Sequence, residues 1–434
     1  MATLRTLSIV KSELRKIAAE PPVLHMDERT IPSVTSSPAA ARLAPASGGP
    51  SALEKRDDVI HLPSAPALQP TVFLFCRLGD MVMLTSLLQF LHRRYRRPCQ
   101  VIGTGSWTAS VYEGNPDVAR VWSFGRHIPF PLSFNWPNLA RALRAGDPGP
   151  IYVCERHYRQ LPRIRRMLAL SGVNARRCVF ICDDPERLDR HFIDLLVSFG
   201  ERTPPALRAT DYPLPPGHRE WAPRLQVSDS ERSERDAWLT QRGWSGRQII
   251  LVQPGNHRSM SRRRARWRRL NTDDKAWPVE HWVALLKLVH VRMPAAIILL
   301  RGAPLEAPML RYIQAAVGIE SVAVAGLGLR PFFALCESAH SMISVDTGPA
   351  HAAAALGVPL VVMFGAHLPG YWSPRSSSTS PVLAVGGPPA STRVDQIGVE
   401  TVFDAWCTLL QRMQSGVAQI SCAAGFQQVH RSHL

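Results

Sequence analysis

The sequence predicts an α/β protein of two domains, each a parallel sheet with helices on its faces. Three observations carry this. At 434 residues the chain exceeds what one ordinary core accommodates. Uninterrupted apolar runs, such as Val72 to Cys76, the Ile249 to Val252 core of the strand Gln248 to Gln253, Ala296 to Leu300 and Leu360 to Phe364, each lead into a polar or glycine-bearing turn. Strands buried on both faces of a parallel sheet read this way, and their alternation with helical patterns is the βαβ signature. Between Thr203 and Pro223 the chain turns proline-rich and irregular, which marks a linker. The expected division is an extension over 1–70, domains over 71–222 and 223–415, and a tail over 416–434.

The extension opens with a short basic amphipathic pattern, Thr3 to Ala19. A stretch rich in Pro, Ser and Ala follows, with too little apolar surface to fold alone. Poor order is the expectation there, with a membrane-surface helix as the second reading. The start lacks the long apolar core and cleavage site of a secretory signal.

In the first domain, Val72 to Cys76 reads as a buried strand, Leu78-Gly79-Asp80 as a turn, and Met81 to Tyr95 as a helix. Asp80 stands where a helix begins, and from the residues alone capping is its favoured role. Further strands are expected near Val118 to Phe124, Ile151 to Cys154 and Val179 to Cys182, with helices near Leu139 to Ala145 and Leu161 to Ser171. The helical stretch Leu188 to Gly200 contains His191, whose commoner role is that of a surface histidine.

The second domain opens with a helix near Asp229 to Gln241, ended by Gly243. A strand then runs into Pro254-Gly255-Asn256. An arginine-rich insert, Arg258 to Arg269, follows; a solvated basic loop is the ordinary explanation of such a run. Ile343 to Ala366 reads as strand, tight turn, small-residue helix and strand. Pro349 suits the first helical turn, where its missing N–H costs nothing. The amides of Thr347 and Gly348 then point out of a helix N-terminus, a ready seat for a phosphate. Asp346 and His351 flank that turn and can reach hydroxyls of the phosphate's carrier. The loop His367 to Pro374 follows the next strand, at the sheet edge where α/β proteins bind ligands. Apolar residues at helical spacing from Val399 to Met413 predict a terminal helix, and the last twenty or so residues carry no signal.

The formal charge of +17, mostly arginine, calls for an anionic partner: nucleic acid, a phospholipid surface or a phosphorylated substrate. No recognition module or aromatic stacking platform supports nucleic acid, so no specific nucleic-acid partner is expected. No apolar run reaches the length of a membrane-spanning helix. The eight cysteines are scattered and read as reduced thiols, with neither zinc spacing nor a disulfide framework.

Several of these stretches resemble glycosyltransferase family 9, the ADP-heptose:lipopolysaccharide heptosyltransferases. The C-terminal signature lies in Asp346-Thr347-Gly348-Pro349, His351, Ala354-Leu356-Gly357-Pro359, Phe364-Gly365 and Trp372-Ser373-Pro374. Its N-terminal counterpart is Arg77 to Leu91, RLGD followed by a leucine-rich helix, and DDKAWP with EHW covers Asp273 to Trp282. The resemblance spans about Val72 to Met413. It implies the GT-B architecture, two Rossmann-like domains facing a cleft, with donor in the second and acceptor against the first. It also implies an inverting transfer with Asp80 as catalytic base, Lys275 on the donor diphosphate and Glu306 on the ribose. Asp346, Thr347, Gly348 and His351 complete the implied donor site. No Asp-x-Asp metal motif sits at a strand end, so neither metal nor cofactor is expected. The implied partners are a nucleotide-sugar donor, ADP-heptose first, and an anionic glycolipid acceptor. Arg262, Arg263 and Arg264 of the insert are assigned to the acceptor or an anionic surface. The implied location is cytoplasmic, with peripheral contact at the inner membrane. A different nucleotide sugar, or a non-catalytic sugar-nucleotide-binding relative, are the alternatives.

Overall fold

The computed structural model describes residues 65–125, 128–145, 149–185, 187–217, 222–256 and 274–429. The basic pattern at Thr3 to Ala19 and the arginines Arg262, Arg263 and Arg264 lie outside these residues.

The first domain holds a five-stranded sheet in the order β3-β2-β1-β4-β5, and every pairing is parallel. Its strands are β1 (Thr71–Phe73), β2 (Cys99–Thr104), β3 (Val118–Phe124), β4 (Ile151–Val153) and β5 (Cys178–Phe180). Its helices are α1 (Leu78–Tyr95), α2 (Trp107–Tyr112), α3 (Asn135–Ala145), α4 (Leu161–Leu170) and α5 (Phe192–Gly200). The strand order turns back at β1, with β2 on one side and β4 on the other. This is the switch point at which a doubly wound sheet opens a crevice beyond its carboxyl edge.

The second domain holds a six-stranded parallel sheet in the order β11-β10-β9-β6-β7-β8. Its strands are β6 (Ile249–Gln253), β7 (Ile297–Arg301), β8 (Val322–Ala325), β9 (Ser341–Val345), β10 (Leu360–Phe364) and β11 (Val382–Gly386). The central four are buried at every position, in keeping with their predominantly apolar sequences. The helices are α6 (Asp229–Gln241), α7 (Val279–Arg292), α8 (Ala307–Val317), α9 (Leu329–Cys336), α10 (Gly348–Ala355), α11 (Pro369–Trp372) and α12 (Val399–Val429). Helix α12 runs well past Met413, where the readable periodicity ends.

Two of the expected boundaries differ in an informative way. Leu78-Gly79-Asp80 is the first turn of α1 rather than a separate turn before it. The apolar run from Val72 continues past the ladder, because the amide of Phe75 leaves the sheet for the carboxylate of Glu155, at 3.1 Å. His191 is not on a helix surface: it is buried and caps the N-terminus of α5. The seven cysteines among the described residues are free thiols.

Candidate functional site

The two domains meet where the first turns of α1 and α10 face each other. A Cβ on Gly79 would lie 3.0 Å from Cδ2 of His351 and 3.4 Å from Cα of Gly348. One on Gly348 would lie 2.7 Å from Cβ of Leu78 and 3.0 Å from the amide nitrogen of Gly79. Gly348 therefore needs glycine for the backbone approach, since a Cβ there would collide, and a Cβ at Gly79 would require the His351 ring to give way by a few tenths of an ångström. Two helix N-termini converge there, and the partial positive charge of each favours an anion between the domains.

Asp80 sits one residue into this contact. Its Oδ2 accepts from the Arg77 amide at 3.0 Å, so the capping that its position predicts is real. Burial pushes its carboxyl pKa up, and the charges of Glu155 and Asp346 add to that. The Arg77 amide and guanidinium oppose the rise without cancelling it. A carboxylate so placed holds a proton more readily than one in water.

Across the contact, Asp346 follows β9 and is buried against two cationic or hydrogen-bonding groups. Lys275 Nζ lies 2.5 Å from its Oδ2, and His367 Nδ1 lies 2.8 Å from the same oxygen. Nζ also donates to the Asp346 carbonyl at 3.3 Å, and His351 Nε2 stands 4.0 Å from Oδ1. Burial alone would raise the Asp346 carboxyl. The His367 hydrogen bond and the charges of Lys275 and His351 outweigh it and hold the pKa well below the usual carboxylate range. His351 moves the other way: burial drives its imidazole down to about 4, so it is neutral near pH 7.

Lys275 is placed by the segment around it. The Asp274 carbonyl accepts from Val394 N at 2.8 Å, and its Oδ2 accepts from Ala366 N at 3.3 Å. The neighbouring Gly365 leaves no room for a side chain there, since a Cβ would lie 2.2 Å from the Asp274 carbonyl oxygen. Two residues on, Trp277 packs edge-on against Trp282 and donates from Nε1 to Ile397 O at 2.9 Å. This is the local logic of the DDKAWP stretch: the aspartate and the tryptophan clamp the loop, and the lysine between them is aimed at the turn after β9.

Thr347 is the N-cap of α10 and Gly348 its first residue, as the phosphate-seat geometry requires. Glu306 is buried at the end of a 3-10 turn (Pro304–Glu306) after β7, and its Oε2 accepts from Ala303 N at 2.7 Å. It lies on the same carboxyl edge as Asp346, because all six strands run parallel. Asp80, Lys275, Asp346, Thr347, Gly348 and His351 are thus gathered at the domain contact, with Glu306 further along the carboxyl edge of the second sheet.

Three polar residues at these edges were not singled out by sequence reasoning. His367, inside the loop after β10, bonds Asp346. Glu155, directly after the apolar run of β4, is buried and also accepts from His157 N at 2.7 Å. Arg301, the last residue of β7, donates to Gln253 Oε1 at 2.8 Å, with its guanidinium 4.4 Å from the Phe332 ring centre. The signal for the last two was a charged residue closing a strand buried on both faces.

Two Rossmann-like domains with their carboxyl edges turned toward each other define a GT-B fold. Residues 209–396 match the family model of glycosyltransferase family 9 (heptosyltransferase), and this match supports a glycosyltransferase as the enzyme class. Solved structures share the fold. E. coli ADP-heptose LPS heptosyltransferase II is 19% identical, with 80% of this chain and 100% of that one covered and a TM-score of 0.59. A family 9 glycosyl transferase from Veillonella parvula is 16% identical, covering 80% and 98%, with a TM-score of 0.62. E. coli heptosyltransferase WaaC with ADP is 16% identical, covering 79% and 100%, with a TM-score of 0.56. No curated protein matches the chain by sequence. Among the described residues no helix is long and apolar enough to cross a membrane.

Proposed function

We propose that the chain is an inverting glycosyltransferase that moves a sugar, heptose in the first instance, from a nucleotide diphosphate to a lipopolysaccharide-type acceptor. The observation that carries this reading is the opposition of Asp80, on α1, to the Lys275–Asp346–Thr347–Gly348 group on the other domain. In the proposed reaction Asp80 takes the proton from an acceptor hydroxyl, and that oxygen bonds to the anomeric carbon. The bond from that carbon to the diphosphate breaks on the opposite face, so the configuration inverts. Lys275 and the amides of Thr347 and Gly348 neutralise the charge growing on the departing diphosphate. Glu306 holds the ribose, and His351 with Asp346 borders the donor. The cationic work is given to protein groups, in line with a metal-independent transfer. The ADP-heptose donor is supported by the E. coli enzymes of the same fold, one of which is an ADP-heptose heptosyltransferase. The basic insert containing Arg262, Arg263 and Arg264 is assigned to an anionic acceptor or to the inner-membrane surface on the cytoplasmic side.

Asp80→Asn tests the reading. The amide keeps the size and much of the capping ability of the carboxylate. It removes the basicity, so transfer should fall by about 10²-fold or more, with donor affinity near wild type. Calorimetric donor binding beside a transfer assay on one preparation checks both. Retained transfer reduces Asp80 to a helix cap; lost donor binding moves it into the nucleotide site.

A further inference from the structure

The first domain carries a surface that its own core does not explain. The loop between β3 and α3 is firmly anchored. Phe130 is buried and packs edge-on against Trp136, with ring centres 4.6 Å apart. Asn135 Nδ2 donates to Ser123 O at 2.7 Å. Arg163, in the first turn of α4, donates to Gly125 O at 3.2 Å and Ile128 O at 3.1 Å, tying the loop to that helix. Yet this fixed loop holds Leu132 74% and Phe134 99% exposed, with Ile128 also in water. Scattered apolar residues on a surface need no explanation, but an anchored group of them does.

Beside the apolar tip, the start of α4 adds exposed Tyr158, with the Arg159 guanidinium 5.2 Å from its ring centre. Charge in this region is one-sided. Residues 128–177 contain nine arginines against two carboxylates, Asp147 and Glu155, and Glu155 is buried. The segment 128–144 has no carboxylate at all. The loop follows β3 and α4 follows β4, both parallel to β1, so the whole surface opens on the edge where Asp80 begins α1.

We propose that this face docks on an anionic lipid bilayer, with Leu132 and Phe134 entering the headgroup–acyl boundary and the arginines of α4 on the phosphates. Apolar side chains beside a basic face are what an interfacial segment needs. Each arginine near an anionic surface adds attraction, and that attraction decays within a Debye length. Docking in this way presents a membrane-held acceptor to the edge that carries Asp80. The inference deepens the function proposed above and rests on its acceptor being held in a membrane.

The test uses the full chain and sedimentation with vesicles, either neutral phosphatidylcholine or containing about a third phosphatidylglycerol. Wild type should bind the anionic vesicles and lose binding as salt is raised. Leu132→Ser/Phe134→Ser should weaken that binding by about tenfold or more, as expected for two large apolar side chains left in water. Arg159→Glu/Arg166→Glu should weaken it by about tenfold or more. ADP affinity, measured on each variant, should be unchanged and serves as the check on folding. Equal binding to neutral vesicles overturns the charge argument. Full retention of binding by the serine variant overturns insertion and leaves a charge-only surface suited to an acidic protein. Vesicle binding without any ADP binding by wild type sinks the glycosyltransferase site while leaving this surface standing.

Discussion

Lys275 is 6% exposed and Asp346 5% exposed, so neither charge has water to fall back on. Removing Lys275 leaves the Asp346 charge buried with the His367 hydrogen bond as its main remaining support, at a cost of up to about 3–5 kcal/mol. Lys275→Ala should therefore lower the unfolding midpoint as well as weaken donor binding and slow turnover. The double variant Lys275→Ala/Asp346→Asn separates the two effects. It removes the stranded charge and should recover much of the stability, while transfer stays depressed, since the proposed cation of the diphosphate is still missing. Urea unfolding and steady-state transfer on the three proteins check this, and recovery of transfer in the double variant reduces Lys275 to a structural ion. At this scale the sequence was legible where the chemistry is local. Thr347 and Gly348 could be read as a helix start because N-cap, Pro at the second helical position and small residues lie within a few positions. The Lys275–Asp346 bond joins residues 71 positions apart, and no local pattern announces that the two charges will neutralise each other. The same holds for His367, which reads as one polar residue in a polar loop until β10 carries it back to Asp346.

Helices α5 and α10 each bring a buried histidine to the domain contact. His191 accepts from Ile193 N through Nδ1 at 3.2 Å, so its proton is on Nε2, which lies 2.7 Å from Ser373 O and donates to it. Burial and the Arg375 charge push its pKa down to about 4, and burial does the same to His351. Unfolded, both titrate near the ordinary value of about 6.5. Between those limits the unfolded chain binds more protons than the folded one, so stability falls as pH drops from about 6.5 toward 4. The loss at pH 5 should be on the order of 1–2 kcal/mol per histidine. His191→Asn keeps a capping side chain and should flatten the decline between pH 7.5 and 5 in urea midpoints. An unaltered decline would mean that His191 is not among the groups responsible. Element positions were legible from apolar runs; their ends were not, for physical reasons that differ by case. The expected start of α1 is Met81, with Leu78-Gly79-Asp80 as a turn before it, yet Gly79 is helical and lies against α10. The reading extended β1 to Cys76 because burial continues, whereas the ladder stops where Glu155 takes over the Phe75 amide.

Across the whole molecule, the net charge of +17 was legible as a need for anions, but part of it is spent internally. Arg94 is buried and donates to the carbonyls of Tyr212 at 3.1 Å and Gly200 at 2.6 Å, holding α1 to the linker and to the end of α5. Two other arginines bridge the domains. Arg375 forms a bidentate pair with Asp194 of α5, at 2.5 and 2.7 Å, beside Phe192 packed on Tyr371 and Trp372. Arg330 of α9 donates to Ser110 O at 3.1 Å and stands 3.5 Å from Glu113, both in the first domain. These bridges are partly exposed, so each contributes no more than about 1 kcal/mol to stability. Their larger effect is on the geometry of the cleft, because the proposed base and the proposed donor group belong to different domains. Transfer needs reacting atoms held within a few tenths of an ångström, and small misplacements cost heavily. The double variant Arg330→Ala/Arg375→Ala should therefore raise the radius of gyration in solution scattering and lower transfer by about tenfold or more. Donor affinity should stay within about twofold, since the proposed donor residues all lie in the second domain. A variant with unchanged scattering and unchanged transfer would show that the glycine contact between α1 and α10 suffices to hold the domains in register. Donor affinity falling in step with transfer would instead place part of the nucleotide site on the first domain.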